Sequence, residues 1–205
     1  MILKQYIAGP IDANNYLVAD EKSKEAVLID CSEHVQKILD DVKELGLKVK
    51  YILLTHGHFD HVMGINSMKK ELGAEVLINQ KDEKQIEMTQ TILKTFGIFV
   101  EKNPEYDKYI DKNTELKIGE IPIKIFETPG HTEGGLCYLI EGKLFSGDTL
   151  FRNYVGRTDL PGGNYAKLEN SIKNVLYKLP DETEVFPGHN EMTTIGYEKK
   201  HNEIV

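Results

Sequence analysis

The chain contains no tryptophan, two cysteines and two arginines, and none of its apolar runs is longer than a strand. Runs such as Tyr51-Ile52-Leu53-Leu54 fall well short of the ~20 apolar residues a bilayer crossing needs, so no membrane partner is expected. Met1–Tyr6 lacks the charged-then-apolar pattern of a secretory leader, and the sequence reads as cytoplasmic. Cys31 and Cys137 are too few for a disulfide framework; each adjoins a strand-like run and is expected as a buried free thiol. Positive charge is also short: the net charge of −8 argues against broad phosphate-backbone binding, so no nucleic-acid partner is expected. The 10 tyrosines are scattered and form no stacking stripe. Gly162-Gly163 reads as a turn, because no phosphate-cradling Lys-Ser/Thr motif follows it. Nothing in the pattern sets an oligomeric state.

The 205 residues suit a single domain, 1–205, long enough to bury a sizeable core. Asn15–Ala19 and Ala26–Asp30 read as strands, and Glu33–Leu45 carries apolar residues at helical spacing until Gly46 stops it. Tyr51–Leu54 reads as a buried strand, Met63–Leu72 as a helix ended by Gly73, and Glu75–Ile78 as a strand. Residues 80–113 are polar, rich in Lys and Glu and weakly helical to about Lys94; they are expected as a surface insertion. Strands resume at Glu115–Ile118, Ile121–Glu127, Leu136–Ile140 and Lys143–Phe145, followed by a helix over Ala166–Leu179 and a strand at Glu184–Phe186. Strands and helices mixed in both halves predict an α/β sandwich with the helices outside.

The histidines carry the chemistry. His56, His58, Asp60 and His61 form an H-x-H-x-D-H cluster directly after the buried strand. With this composition such a cluster arises by chance on the order of 5 × 10⁻⁴ times in a chain this long. His131 lies in Pro129-Gly130-His131-Thr132, Asp148 in Ser146-Gly147-Asp148 and His189 in Pro187-Gly188-His189. Each group follows an apolar run and is framed by Gly or Pro, as expected of loops at strand ends, where a sheet can hold ligands rigidly. His56 and His58, two apart in an extended loop, can face one ion, and Asp60 and His61 can reach a second. Imidazoles with a few carboxylates suit two divalent metal ions of the Zn, Fe or Mn kind rather than Ca or Mg. Two such ions roughly 3.5–4 Å apart can share a hydroxide and polarise a carbonyl, and Asp148 is the natural bridge.

In this order the four motifs resemble the signature of the metallo-β-lactamase superfamily, over nearly the whole chain. The resemblance implies a four-layer αββα sandwich of two mixed sheets with outer helices and a metal site at one edge. It implies His56, His58 and His131 on one metal, Asp60, His61 and His189 on the other and Asp148 between them, with Asp60 and Asp148 the catalytic carboxylates. Asp30, at a strand end, is similar to the family's aspartate that braces the histidine loop, and equally reads as a turn residue. Gly147–Phe151 and Thr193–Glu198 resemble the glyoxalase-II group, hydrolases of hydroxyacyl-glutathione thioesters. The chain ends at Val205, so the likeness is to short members without a carboxy-terminal glutathione-binding helical domain. Gly156-Arg157-Thr158-Asp159 also resembles relatives that are persulfide dioxygenases using a single iron, the alternative function.

Both arginines, Arg152 and Arg157, follow Asp148 closely. A guanidinium grips carboxylate or phosphate in a fork that Lys cannot copy. Two readings stand for Arg157: an anion-holding loop over the metals, or a tie within its loop to Asp159 or a carbonyl. In the first, Arg152 and Tyr154 join it in binding a small acidic, thiol-derived substrate.

Overall fold

The computed structural model describes residues 1–205. Strands β1 (Ile2–Ala8) and β2 (Ala13–Ala19) form an antiparallel hairpin, Ile2 opposite Ala19 and Ala8 opposite Ala13. Strand β3 (Glu25–Ile29) pairs antiparallel with β2. Helix α1 (Gln36–Glu44) then crosses over to β4 (Lys48–Leu53), which runs parallel to β3. A single helical turn, α2 (Phe59–Val62), and helix α3 (Ile65–Leu72) lead to parallel β5 (Glu75–Ile78). Gly73 ends α3 in the left-handed region, φ +63°, which costs glycine nothing. A short 3₁₀ turn at Gln80–Asp82 opens α4 (Glu83–Thr95), and β6 (Lys108–Tyr109) completes a mixed sheet in the order β1-β2-β3-β4-β5-β6.

The second sheet begins with β7 (Leu116–Ile118), β8 (Ile121–Glu127), β9 (Leu136–Ile140) and β10 (Lys143–Gly147). A small hairpin follows, β11 (Leu150–Phe151) with β12 (Tyr154–Val155). Helix α5 (Tyr165–Asn174), capped by the Asn164 side chain, runs into a 3₁₀ turn at Leu176–Lys178. Strand β13 (Glu184–Pro187) joins parallel to β10, β14 (Thr193–Thr194) closes the edge, and Thr194 caps α6 (Ile195–His201). The order is β14-β13-β10-β9-β8-β7.

Side-chain alternation along the strands builds the layers. Tyr16, Val18, Val27 and Ile29 of the first sheet pack on Ile123, Ile125, Tyr138 and Phe145 of the second. Leu17, Ala19 and Leu28 face the opposite way, onto Ile38 of α1, Ile65 and Met68 of α3 and Ile86 of α4. Cys137, Leu144 and Val185 pack on Leu168 and Ile172 of α5 and Ile195 of α6. The result is helix, sheet, sheet, helix, as expected from the sequence. Both thiols are free and buried, one in each outer layer. No helix is long and apolar enough to cross a membrane.

Three elements differ from the sequence expectation. Residues 80–113, expected as a surface insertion helical to about Lys94, hold that helix with an inward face and also supply the edge strand β6. Asp82, Ile86, Thr89 and Leu93 of this stretch are buried, and its Lys and Glu residues mask that narrow inward stripe. The expected helix over 166–179 breaks at Val175, where ψ falls to −65° and a 3₁₀ turn takes over. Helix α6 has no apolar periodicity to announce it, since its buried residues are Ile195, Gly196 and Glu198.

Candidate metal centre

All seven expected donors lie beyond the carboxyl ends of strands, five in loops and Asp60 and His61 on the single turn of α2, gathered at one edge of the sandwich. Asp30 ends β3 with φ +60°. Its Oδ1 accepts from the Thr55 N–H at 2.8 Å, and its Oδ2 accepts from the Thr55 hydroxyl and from His61 Nδ1, each at 2.8 Å. This is the bracing reading of Asp30, not the turn reading. Because the Thr55 hydroxyl donates to Asp30, its oxygen accepts from His56 Nδ1 at 3.0 Å. The opposite nitrogen, His56 Nε2, is thereby left as a lone pair, buried and without a partner. His131 is fixed the same way: its Nδ1 donates to the Arg157 carbonyl at 2.8 Å, freeing Nε2.

The free atoms converge. Donor atoms of His56, His58 and His131 lie within 4.8 Å of one another, as do those of His56, His61 and Asp148, and those of Asp60, His61 and His189. His58 Nδ1 and His131 Nε2 are 2.9 Å apart. Asp148 stands between the groups: Oδ1 is 3.4 Å from His61 Nε2, and Oδ2 is 3.6 Å from His131 Nε2 and 3.8 Å from His189 Nε2. Asp60 Oδ2 lies 3.2 Å from His189 Nε2 and 3.3 Å from His61 Nε2.

Burial and mutual repulsion set the charges. Burial, with His61, His58 and His131 alongside, holds His56 well below the usual histidine range. Burial and His131 push His58 down to about 4. Burial would lower His61, yet Asp60, Asp148 and Asp30 around it hold it well above the usual value. Burial would raise Asp60, but His61 and a hydrogen bond from His189 keep it well below the carboxylate range. Asp148 is likewise lowered against its burial, by His61, His131 and His189. His56 and His58 are thus neutral and Asp60 and Asp148 ionised, the forms that bind metal, whereas His61 and His189, both raised by the carboxylates beside them, release a proton when an ion binds. With the orphaned His56 Nε2 and Asp148 Oδ1, the donor set fits a pair of divalent cations.

The three expected substrate contacts do not join this cluster. Arg157 forks onto Asp159, Nε to Oδ1 and Nη2 to Oδ2 at 2.7 Å each, with its side chain 60% exposed. The loop-tie reading therefore describes Arg157, and it is its carbonyl that serves the centre. Arg152 pairs with Glu191 at 3.3 Å and lies over the Tyr197 ring. Tyr154 is exposed on β12.

Other residues around the centre were not expected from the sequence. Asn14 Nδ2 donates to the carbonyls of Pro187 and Asn190, both at 2.9 Å, and the Tyr16 hydroxyl donates to Pro187 at 2.7 Å. Together they hold the loop that carries His189. Their signal was two adjacent asparagines inside a fully buried strand. Asp82, buried at the start of α4, contacts the loops of His56–His58 and of His131 and had no such signal. An open cleft of about 790 Å³ borders His189, lined by Ile7, Ile11, Asp12 and Met192 among others.

Known proteins resemble this chain in sequence and fold. The chain is 42% identical to an uncharacterised protein of Aquifex aeolicus over 98% of its length and 96% of that protein. It is 35% identical to the hydroxyacylglutathione hydrolase GloC of Haemophilus influenzae, over 94% of this chain and 92% of that one. The structure of TTHA1623 in a di-iron-bound form superposes with TM-score 0.88 at 34% identity, covering 98% of this chain and 100% of that chain. The BLEG-1 B3 metallo-beta-lactamase superposes with TM-score 0.87, also at 34% identity, covering 98% of both chains. Residues 8–189 match the family model of the same fold, and the chain belongs to the metallo-beta-lactamase superfamily.

Proposed function

We propose that this protein is a binuclear metallohydrolase of a hydroxyacyl-glutathione-type thioester. His56, His58 and His131 hold one divalent ion, Asp60, His61 and His189 hold the other, and Asp148 lies between them. The observation that carries this reading is the placement of Asp148, whose two oxygens face histidines of both groups. The 35% identity to GloC over nearly the full length supports the thioester class.

When bound, a metal pair lowers the pKa of water to near neutrality and polarises the scissile carbonyl. The chain's own residues do the rest. Asp30, Thr55 and the Arg157 carbonyl hold the Nδ1 atoms of His56, His61 and His131, so these three imidazoles turn Nε2 inward. Asp60, kept ionised beside His61 and His189, can accept a hydrogen bond from the attacking water and orient it. A thiolate is a good leaving group, so no strong general acid is required, and none stands among the motif loops. The cleft beside His189 gives the acyl group an apolar wall in Ile7, Ile11 and Met192.

One observation favours a second reading, a mononuclear iron persulfide dioxygenase. His56, His61 and Asp148 alone make a two-histidine, one-carboxylate group of the kind that holds non-haem iron. Hydrolysis of S-lactoylglutathione by protein loaded with Zn²⁺, Mn²⁺ or Fe²⁺ separates the two. Turnover at kcat/KM around 10⁴ M⁻¹s⁻¹ or above supports the thioesterase. Oxygen consumption on glutathione persulfide, with one iron per chain and no thioester loss, supports the dioxygenase.

A further inference from the structure

Asp82 sits where the 3₁₀ turn at Gln80–Asp82 meets α4; it is completely buried and forms no ion pair. Its three partners are neutral donors. The Gly57 N–H donates to Oδ2 at 2.9 Å, the Thr132 hydroxyl donates to Oδ2 at 2.7 Å, and the Gly134 N–H donates to Oδ1 at 2.6 Å. Gly57 lies between His56 and His58, and Thr132 follows His131. One side chain, from a segment that supplies no metal donor, thus joins the two loops that carry the all-histidine group.

Burying a carboxylate among neutral groups is costly, and three hydrogen bonds are needed to offset it. Helix capping does not explain the residue, because Asp82 stands at the N-cap of α4 yet its side chain makes no capping hydrogen bond. The neighbouring loops are shaped to it. A Cβ on Gly57 would lie 2.8 Å from Gln85 Cβ and 2.9 Å from the Asp82 carbonyl oxygen, and one on Gly134 would lie 2.7 Å from the Asp82 carboxyl. The same segment makes two more contacts with neighbouring loops. Phe96 stacks on Phe59 with ring centroids 5.3 Å apart, and Gln85 Nε2 donates to the Pro161 carbonyl at 2.8 Å.

We infer that Asp82 is a positioning residue for the His56–His58–His131 group, setting the His56–His58 loop against the His131 loop so that three imidazoles converge before an ion arrives. The inference rests on the seven-donor reading. It is selective, because Asp82 touches neither His61 nor the loop of His189: Asp30 braces His61 as well as Thr55 beside His56, and Asn14 with Tyr16 hold the loop of His189. A carboxylate fits the role better than an amide. Asn at 82 has one acceptor oxygen for two backbone N–H groups that approach from opposite sides.

The test is calorimetric titration of metal-free protein with Zn²⁺, with a competing chelator, on the wild type, Asp82→Asn, Thr132→Ala, His58→Ala and the Asp82→Asn/His58→Ala double variant. Asp82→Asn is expected to weaken one of the two ions by about 10- to 100-fold and to leave the other within about twofold. Thr132→Ala, which removes one hydrogen bond of three, shifts the same ion less; it carries the test if Asp82→Asn does not fold. In the His58→Ala background, adding Asp82→Asn leaves the remaining ion's affinity within about twofold. Equal weakening of both ions, weakening of neither, or weakening of the surviving ion in the double variant overturns the inference. A merely structural role gives the first of these outcomes together with a lowered melting temperature. A wild type that binds no second ion overturns the donor-set reading instead, before the role of Asp82 is reached.

Discussion

Asp41 and Asp82 are both buried aspartates beneath the outer helices of the first sheet, and they are treated in opposite ways. Asp41, on α1, meets cations: Lys4 Nζ at 2.9 Å and Lys37 Nζ at 2.8 Å, with the Tyr6 hydroxyl donating at 2.6 Å. Asp82 meets only neutral donors, two of them backbone N–H groups of the metal loops. Their ionisation diverges accordingly. Burial would raise Asp41, but hydrogen bonds from Lys37, Tyr6 and Lys4 hold it well below the carboxylate range. Burial raises Asp82, and its neutral donors only partly offset this. A carboxylate matched by lysines ties β1 to α1 and serves stability. A carboxylate matched by loop N–H groups holds two loops at a fixed separation and serves the site.

Substitutions separate these roles, and the donors themselves give the largest effect. His58→Ala or Asp148→Ala is expected to reduce thioester turnover to background and to lower bound metal, read by metal content per chain beside the rate. Asp82→Asn comes next, with the loss of about 10- to 100-fold in one metal affinity described above. Asp41→Ala marks the other side of the comparison. It is expected to lower the unfolding free energy by about 1–3 kcal/mol in denaturant titration, since it strands the buried Tyr6 hydroxyl, while both metal affinities stay unchanged. If Asp41→Ala shifts metal binding as much as Asp82→Asn does, the contrast between the two aspartates fails.

The acid limb of stability sharpens the same contrast. An unfolded aspartate titrates near 3.9, and folded Asp41 takes up its proton well below that. Its contribution is therefore fully present above about pH 4 and is lost as pH falls toward the folded value. Metal-free Asp41→Asn is expected to lose less stability than the wild type between pH 5 and pH 2, in melts across that range. The smallest effect is expected from Arg157→Lys. With the guanidinium held by exposed Asp159, kcat and KM for S-lactoylglutathione should not change measurably. A clear rise in KM alone would restore the anion-holding reading of that loop.

The donor set was legible because every donor falls in a short motif with Gly or Pro close after an apolar strand, and histidine is scarce elsewhere in the chain. Asp30 was half legible: its place at a strand end was visible, but its contacts with Thr55 and His61 span 25 and 31 residues. Asp82 was not legible at all. It lies in a stretch dense with Lys and Glu, where one inward aspartate looks like its solvated neighbours. The burial of α4 was missed for the same reason, since Ile86, Thr89 and Leu93 make a stripe with a single polar interruption. Arg157 shows the converse. Its rarity and its nearness to Asp148 pointed to the site, yet the guanidinium found a partner two residues away and only the carbonyl reached His131. Strand alternation and motif loops are local signals; which carboxylate reaches across to which loop is decided by packing.

The most direct test is the rate of S-lactoylglutathione hydrolysis as Zn²⁺ is added stepwise to metal-free protein of known concentration. A rate that climbs until two equivalents per chain and then levels off is the expected result. Saturation at one equivalent, or no loss of thioester at any metal content, would contradict a binuclear thioesterase.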